Sequence, residues 1–373
     1  MPYTAQINRT NPACVLLLVD QSRSMDQPLA GTGTRSKAAV VADAVNRLVQ
    51  NLVLRSAKAG GVRDYFHVGV IGYGREVRSG LRGQLPSAPL ARISQLSDEP
   101  IRVETRTRLT PDGAGGARTK TVKFPIWYEP EAAGPTPMCA ALDAAASAAR
   151  KFAAAFPNAF PPVVLNLTGG QPTGGDPAGK AWLVRMVSTN DGNALLFNVL
   201  LSVSPLPPAY FPDTEDRLPD PFDQALFRMS SVLPAKMREA ARAEGLAVRE
   251  KARGVVVNAD PTALVRFLDI GTRVTPGGGR RDRRPAPRPR AVPVNWPLPQ
   301  DFNEAVQNPA AVFSDPDLRD GATAAGPHGL PLPHSGNYAD VYRVRGPDGT
   351  GRSSASPARC PGWPTGTPGW PRR

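Results

Sequence analysis

The residues best suited to chemistry lie in one short run, Asp20-Gln21-Ser22-Arg23-Ser24. A carboxylate and two hydroxyls at alternate positions of one loop are hard oxygen donors, the type that Mg²⁺ prefers. Hydroxyls in a loop also cap backbone groups, and that plainer role stays open for Ser22 and Ser24. Thr136 stands before Pro137 and an alanine-rich stretch, the pattern of a helix N-cap followed by proline at the first helical position. The run GGQPTGGD (170–176 with its preceding glycine) is rich in glycine but lacks the Gly-Lys-Ser/Thr ending of a phosphate loop, so it reads as a strand-to-helix turn. No GxSxG elbow occurs. His67 falls inside an expected strand, and Cys139 one turn into an expected helix, where each is assigned a packing role. Through residue 272 no catalytic constellation emerges, which points to recognition, not turnover.

These residues need elements to hold them. Cys14 to Val19 is a short, continuously apolar run, as expected of a strand buried on both faces. From Ser36 to Leu54, apolar residues at 41, 45, 48 and 52 have helical spacing. Phe66 to Ile71, Pro162 to Thr168, Ala194 to Ser202 and Gly254 to Asn258 read as further buried strands. Helices are expected from Pro137 to Phe156, from Pro177 to Asn190, in pieces across Gln224 to Glu244 because Pro234 interrupts, and from Pro261 to Ile270. Alternating residues on both sides of an Asp-Gly turn between Ile101 and Trp127 predict a hairpin whose second arm joins the main sheet. Alternation of strand and helix predicts an α/β fold, a doubly wound, mostly parallel sheet with helices on both faces. In such a sheet the site lies beyond the carboxyl ends of the strands, which is where Asp20 falls.

The DxSxS run behind an apolar first strand, the later Thr136, and a strand ending in Thr168-Gly169-Gly170 resemble the metal-ion-dependent adhesion site of von Willebrand factor A domains, over roughly residues 11 to 272. The resemblance implies that Asp20, Ser22, Ser24 and Thr136 hold Mg²⁺ or Mn²⁺, whose open position accepts an exposed Asp or Glu of a partner protein. Two departures weaken that implication. The family's Thr-Asp-Gly is Thr-Gly-Gly here, and Arg23 replaces a small residue, so one negative charge is lost and one positive charge is gained beside the cation. Asp176 is the carboxylate positioned in sequence to reach back in compensation. Without a metal, Arg23 would receive the partner's carboxylate directly. Within the family, the chain resembles bacterial proteins of the tellurium-resistance type. They imply a cytoplasmic, stress-response role beside a Ser/Thr protein kinase and a metal-dependent protein phosphatase.

Beyond Gly271 the composition changes. Pro and Gly make up 42 and 35 of the 373 residues, and 18 of the prolines and 14 of the glycines fall in the final 103. Such density is typical of linkers and disorder. The net charge of +13 is concentrated in part at 280–290, with six Arg against one Asp. Arg spaced by Pro without aromatic platforms reads as a solvated linker, and nucleic acid is not an expected partner. Three cysteines, Cys14, Cys139 and Cys360, without metal-ligand spacing or an even framework, indicate a reducing compartment. With no apolar run of membrane-spanning length, a soluble cytoplasmic protein is expected.

The run Ser335 to Tyr342 resembles the opening of a protein kinase. Gly336 would turn over nucleotide phosphates and Val341 would cover the adenine. No lysine-bearing strand, His-Arg-Asp or Asp-Phe-Gly follows, so no catalysis is expected; the alternative is an inactive fragment of a kinase joined to an A domain. Permitted codons for Gly351 to Trp363, read in a shifted frame, give Ala-Val-Lys-Cys and so restore the missing lysine. The expected organisation is an A-type domain over 1–272, a Pro/Arg-rich linker over 273–295, a truncated kinase-like segment over 296–346, and a disordered tail over 347–373 read as coded out of frame.

Overall fold

The computed structural model describes residues 2–58, 60–81, 89–111, 117–204, 206–218, 220–272, 299–312, 319–333, 342–345 and 351–355. The chain divides into two compact units. One comprises Met1–Ser56, Arg63–Ile101 and Ile126–Trp296, and the other Ala57–Val62, Arg102–Pro125 and Pro297–Arg373.

In the first unit, the apolar runs become the strands of one eight-stranded sheet. They are β1 (Ala13–Asp20), β2 (Phe66–Tyr73), β3 (Val77–Ser79), β4 (Ala91–Arg92), β5 (Val163–Thr168), β6 (Leu195–Leu201), β7 (Ala209–Tyr210) and β8 (Val255–Ala259). Their order is β7-β8-β6-β5-β1-β2-β3, with β4 also paired to β2. The five central strands are parallel, and the short β3, β4 and β7 run antiparallel at the margins. Every residue of β1 and β5 is buried, because helices cover both faces.

The helices are α1 (Lys37–Ser56), α2 (Ile93–Asp98), α3 (Met138–Ala155), α4 (Ala178–Arg185), α5 (Pro221–Met229), α6 (Ala235–Ala243) and α7 (Pro261–Gly271). On one face Cys14, Leu16 and Leu18 pack with Ala141, Ala145 and Phe152 of α3, and α4 and α5 extend that layer. On the other lie α1, α2 and α7. There a Cβ on Gly271 of α7 would meet Leu165 Cδ2 at 3.0 Å, which shows how close the helix sits to β5. Fully burying each such Leu or Val is worth about 1.5–3 kcal/mol, so the alternating inward and outward residues of the central strands tie both helix layers to one sheet.

A polar row crosses this apolar sheet. Tyr73 Oη donates to Asn166 Oδ1 (2.7 Å), Asn166 Nδ2 to Asn198 Oδ1 (2.9 Å), and Asn198 Nδ2 to Ser230 Oγ (2.8 Å). Ser230 Oγ in turn donates to Leu226 O at the end of α5 (2.7 Å). Each group is buried and each is paired, so the row fixes β2, β5, β6 and α5 in one register without orphaned atoms.

Three local expectations are corrected. The hairpin forms, over Arg102–Pro111 and Ala117–Ile126, but among the described residues its two strands pair with each other alone, outside the main sheet. Its alternation is the reason: Arg102 and Arg106 both bond Glu104 on one face, and Arg106 lies over the Phe124 ring at 3.9 Å. Such charge is incompatible with a strand buried on two faces. Second, α4 ends at Arg185 instead of Asn190. Ser188–Thr189 and Gly192–Asn193 form a small antiparallel ladder, with Gly192 at φ +139 taking the turn that Asn190-Asp191-Gly192 encodes. Third, α3 starts at Met138 with Pro137 as its N-cap, so Thr136 is not the cap. Thr136 O instead accepts from Met138 N at 2.8 Å, which keeps the chain turning at Pro137.

In the second unit the hairpin packs with the C-terminal segment. Lys123 N donates to Gln307 Oε1 at 2.7 Å, and Asn308 Nδ2 to Thr121 O at 2.9 Å. Phe302, Val306 and Tyr342 form a small apolar cluster there. Ala322–Thr323, Tyr342–Arg345 and Gly351–Ala355 make a three-stranded antiparallel sheet. Gly351–Ala355 is thus a strand within the tail expected over 347–373 to be disordered, while the rest of that tail, Gly336, Val341 and the linker over 273–295 lie outside the described residues.

Candidate functional site

Strand order places the site. From β1 the chain crosses to β2 on one side, and later returns to β5 on the other, so β1 and β5 flank the point where the winding reverses. In doubly wound sheets the ligand crevice opens at that point, beyond the carboxyl ends. Asp20 closes β1, and Thr168-Gly169 closes β5.

Asp20 is fully buried. Its Oδ1 accepts from Ser22 N (2.8 Å), and its Oδ2 from Thr168 Oγ1 (2.9 Å) and Gly169 N (3.0 Å). One carboxylate therefore ties the first loop to the end of β5, and charge-assisted bonds of this kind are about twice as strong as neutral ones. A 3₁₀ turn at Arg23–Asp26 follows. Ser22 is its N-cap but makes no side-chain cap; its hydroxyl lies 2.9 Å from that of Ser24. The two serines thus form a pair of hydroxyls, not backbone caps.

The loops converge tightly. Arg23 N donates to Gly134 O (3.1 Å), and Ala133 N to Gln21 O (2.6 Å). Gly134, at φ +87, has room for no Cβ because Arg75 N would lie at 2.7 Å. Thr136 is buried and joined to the loop after β5: its N donates to Thr173 Oγ1 (3.0 Å), and its O accepts from Thr173 N (2.9 Å). That loop returns to the serines, since a Cβ on Gly170 would meet Ser24 Oγ at 3.3 Å. Asp20, Ser22 and Ser24 on the loop after β1 and Thr136 on the loop before α3 thus pack, with the loop after β5, into one strand-end assembly. The Arg23 side chain is exposed and forms no ion pair among the described residues. Asp176 does not reach back; it accepts from Ala178 N (2.9 Å) at the start of α4.

Two residues of the assembly escaped the sequence reading. Lys37 Nζ donates to Gly169 O and to Gln27 Oε1, both at 3.2 Å. Burial lowers its pKa, and the charge of Asp20 acts in the opposite sense. Met25 is fully buried beneath the 3₁₀ turn, and a Cβ on Gly169 would come within 2.5 Å of its Sδ. The signal for Lys37 was present: it lies one turn before Val41 on the apolar stripe of α1.

The donor set matches a divalent ion only in one respect. Octahedral Mg²⁺ at 2.0–2.1 Å from its ligands sets neighbouring oxygens about 2.9 Å apart, as Ser22 and Ser24 hydroxyls are. Otherwise it does not fit a firmly held ion. Of the residues the resemblance implies, Asp20 alone carries a carboxylate, and its two oxygens face N–H and O–H donors. The space a second carboxylate would need at 169 holds Met25 and the Lys37 stem. Among the described residues no group of three or more His, Cys, Asp or Glu side chains is placed to hold a metal. No described helix is long and apolar enough to cross a membrane. His67 packs edge-on against Phe152 and Phe156, as its strand position implied, while Cys139 is half-buried with Sγ 3.8 Å from Gly175 O.

No family model matches the chain, and no curated protein matches its sequence. Solved structures do. Von Willebrand factor type A from Catenulispora acidiphila aligns at 15% identity and TM-score 0.36, covering 71% of this chain and 43% of that one. The mussel byssus proximal thread matrix protein 1 with a zinc-occupied MIDAS motif aligns at 13% identity and TM-score 0.34, over 71% and 48%. The pilus adhesin SpaC from Lactobacillus rhamnosus GG aligns at 13% identity and TM-score 0.37, over 72% and 31%. The chain spans less than half the length of each of these.

Proposed function

We propose that this chain is a protein-recognition module of the von Willebrand A kind, whose strand-end loops receive an exposed Asp or Glu of a partner protein. One observation carries the reading. Arg23 stands exposed and, among the described residues, without an ion pair on the loop that closes β1, next to the paired Ser22 and Ser24 hydroxyls, at the switch point of the sheet. A guanidinium beside hydroxyl donors is complementary to a carboxylate, and the charge-assisted bond supplies both orientation and energy. Asp20 does not compete for the ligand, because it is buried and already holds three donors. Thr136 and Thr173 hold the loop before α3 to the loop after β5 beside it. Nothing in this role requires bond making, and we read the chain as a binding protein. The resemblance to tellurium-resistance proteins supports, for its setting, a cytoplasmic stress response that works beside a Ser/Thr kinase and a metal-dependent phosphatase.

The test uses immobilised peptide mixtures with a fixed central Asp or Glu, compared with the same mixtures carrying Asn or Gln. The full chain is expected to be retained about tenfold better on the acidic set, and Arg23→Gly to lose the preference. Equal retention on both sets by the native chain overturns the reading.

A further inference from the structure

Lys37 is in a position that costs an ammonium twice. It opens α1, where the positive end of the helix dipole repels a cation. It is also 2% exposed, on the stripe that continues through Val41, Val45, Leu48 and Leu52. A cation held there against both penalties needs compensating partners. Its partners are all parts of the strand-end assembly: Gly169 O and Gln27 Oε1 accept its hydrogen bonds, and Asp20 supplies the opposing charge.

Its stem matters as much as its charge. A Cβ on Gly169 would lie 3.3 Å from Lys37 Cδ as well as 2.5 Å from Met25 Sδ. A carboxylate at 169 and this lysine therefore contend for one volume. Gly169, where the resemblance leads one to expect Asp, and the buried Lys37 stand side by side in this corner of the site. Together they exchange a metal-attracting negative charge for a built-in positive one.

We propose that Lys37 is the resident cation of the strand-end site, standing in for a divalent ion, so that the loops engage a partner's carboxylate without metal. Lys37 balances the buried Asp20, and exposed Arg23 meets the ligand. A divalent ion at Ser22 and Ser24 would add two positive charges to those of Lys37 and Arg23, against the one buried carboxylate, Asp20, and the exposed Asp26. The consequence for partner binding rests on the acid-recognition reading. The statement about the cation does not, since it concerns the empty protein.

The experiment therefore needs no partner: Mn²⁺ alone is added to the ¹⁵N-labelled full chain, and paramagnetic broadening is read at the amides of Ser22, Ser24 and Gly169. The native chain is expected to show no saturable broadening there up to about 1 mM Mn²⁺, the weak end of the range for protein sites. Lys37→Met keeps the stem and removes the charge, and it is expected to bind Mn²⁺ at these amides about tenfold more tightly. Saturable broadening in the native chain that Ser24→Ala abolishes overturns the proposal. So does a folded Lys37→Met that gains nothing. Should Lys37→Met fail to give a cooperative thermal melt, the native titration decides alone. Failure of the peptide test with a silent Mn²⁺ titration removes the acidic ligand and leaves the resident cation standing.

Discussion

Gly169 shows how little room the site leaves for change at single residues. Its backbone is not left-handed, so the constraint is space: a Cβ would lie 2.5 Å from the sulfur of Met25, which is fully buried and has no solvent to swing into. Gly169→Ala is expected to cost about 1–3 kcal/mol by overpacking, and Met25→Ala about 2–5 kcal/mol by opening a cavity. Because each relieves the other, the double variant should fall short of the sum by about 1 kcal/mol. Urea unfolding of the four proteins measures this, and strict additivity would refute the contact. At this scale the sequence was legible where the chemistry is local. Asp20, Ser22, Ser24 and Arg23 stand within five residues, and the strand before them announces their place. Lys37 and Met25 were not read as site residues because their roles come from the approach of Gly169, some 130 residues away in sequence. Thr136, which the resemblance implies is a metal ligand, is not the helix cap that its local sequence suggests, since Pro137 takes that position.

Elements followed their apolar patterns wherever burial was two-sided: β1, β2, β5 and β6 lie where continuous apolar runs placed them. The hairpin at 102–126 departed from expectation because period-two alternation tells that a strand has a wet face, but not which sheet it pairs with. Helix α5 carries a feature that patterning alone does not reveal. Asp223 lies in its first turn, only 7% exposed, and burial, with Asp220 adding repulsion, pushes its carboxyl up to about 6 from an ordinary 3.8. Since the folded value is the higher one, the native state binds the proton more tightly. The stabilisation is complete below about pH 4 and is lost as pH rises through about 6. At neutral pH the ionised group is a net cost. Asp223→Asn should therefore raise stability at pH 7.5 by about 1 kcal/mol, after allowance for partial solvent screening, and change little at pH 4. Urea midpoints at the two pH values check this, and a gain equal at both would show that the carboxyl's charge is not the cause.

For the whole molecule, the composition break near Gly271 separates an ordered α/β unit from a Pro- and Gly-rich region, yet the partition of the fold does not follow the chain. Residues 102–125 belong with 297–373, not with the sheet that surrounds them in sequence. Such a pairing is invisible to any local pattern, because it depends on Lys123 and Thr121 meeting Gln307 and Asn308 across 184 and 187 residues. The hairpin's own ladder is that of an isolated pair of strands, which in water is marginal. Its order is then expected to draw on the bonds that the C-terminal segment brings, those of Gln307 and Asn308 among them. Ending the chain at residue 272 removes Gln307, Asn308 and the cluster of Phe302, Val306 and Tyr342, while leaving β1, β5 and the helices on both faces intact. Amide exchange should consequently rise sharply across Ala117–Ile126 in the shortened chain and stay unchanged in β1 and β5, which open only with the global unfolding of the sheet. Mass-resolved exchange of the full and shortened proteins measures both regions in one experiment. Protection of the hairpin that survives the truncation would mean that its order comes from within itself. Faster exchange in β1 would mean that the strand-end site depends on the C-terminal region as well.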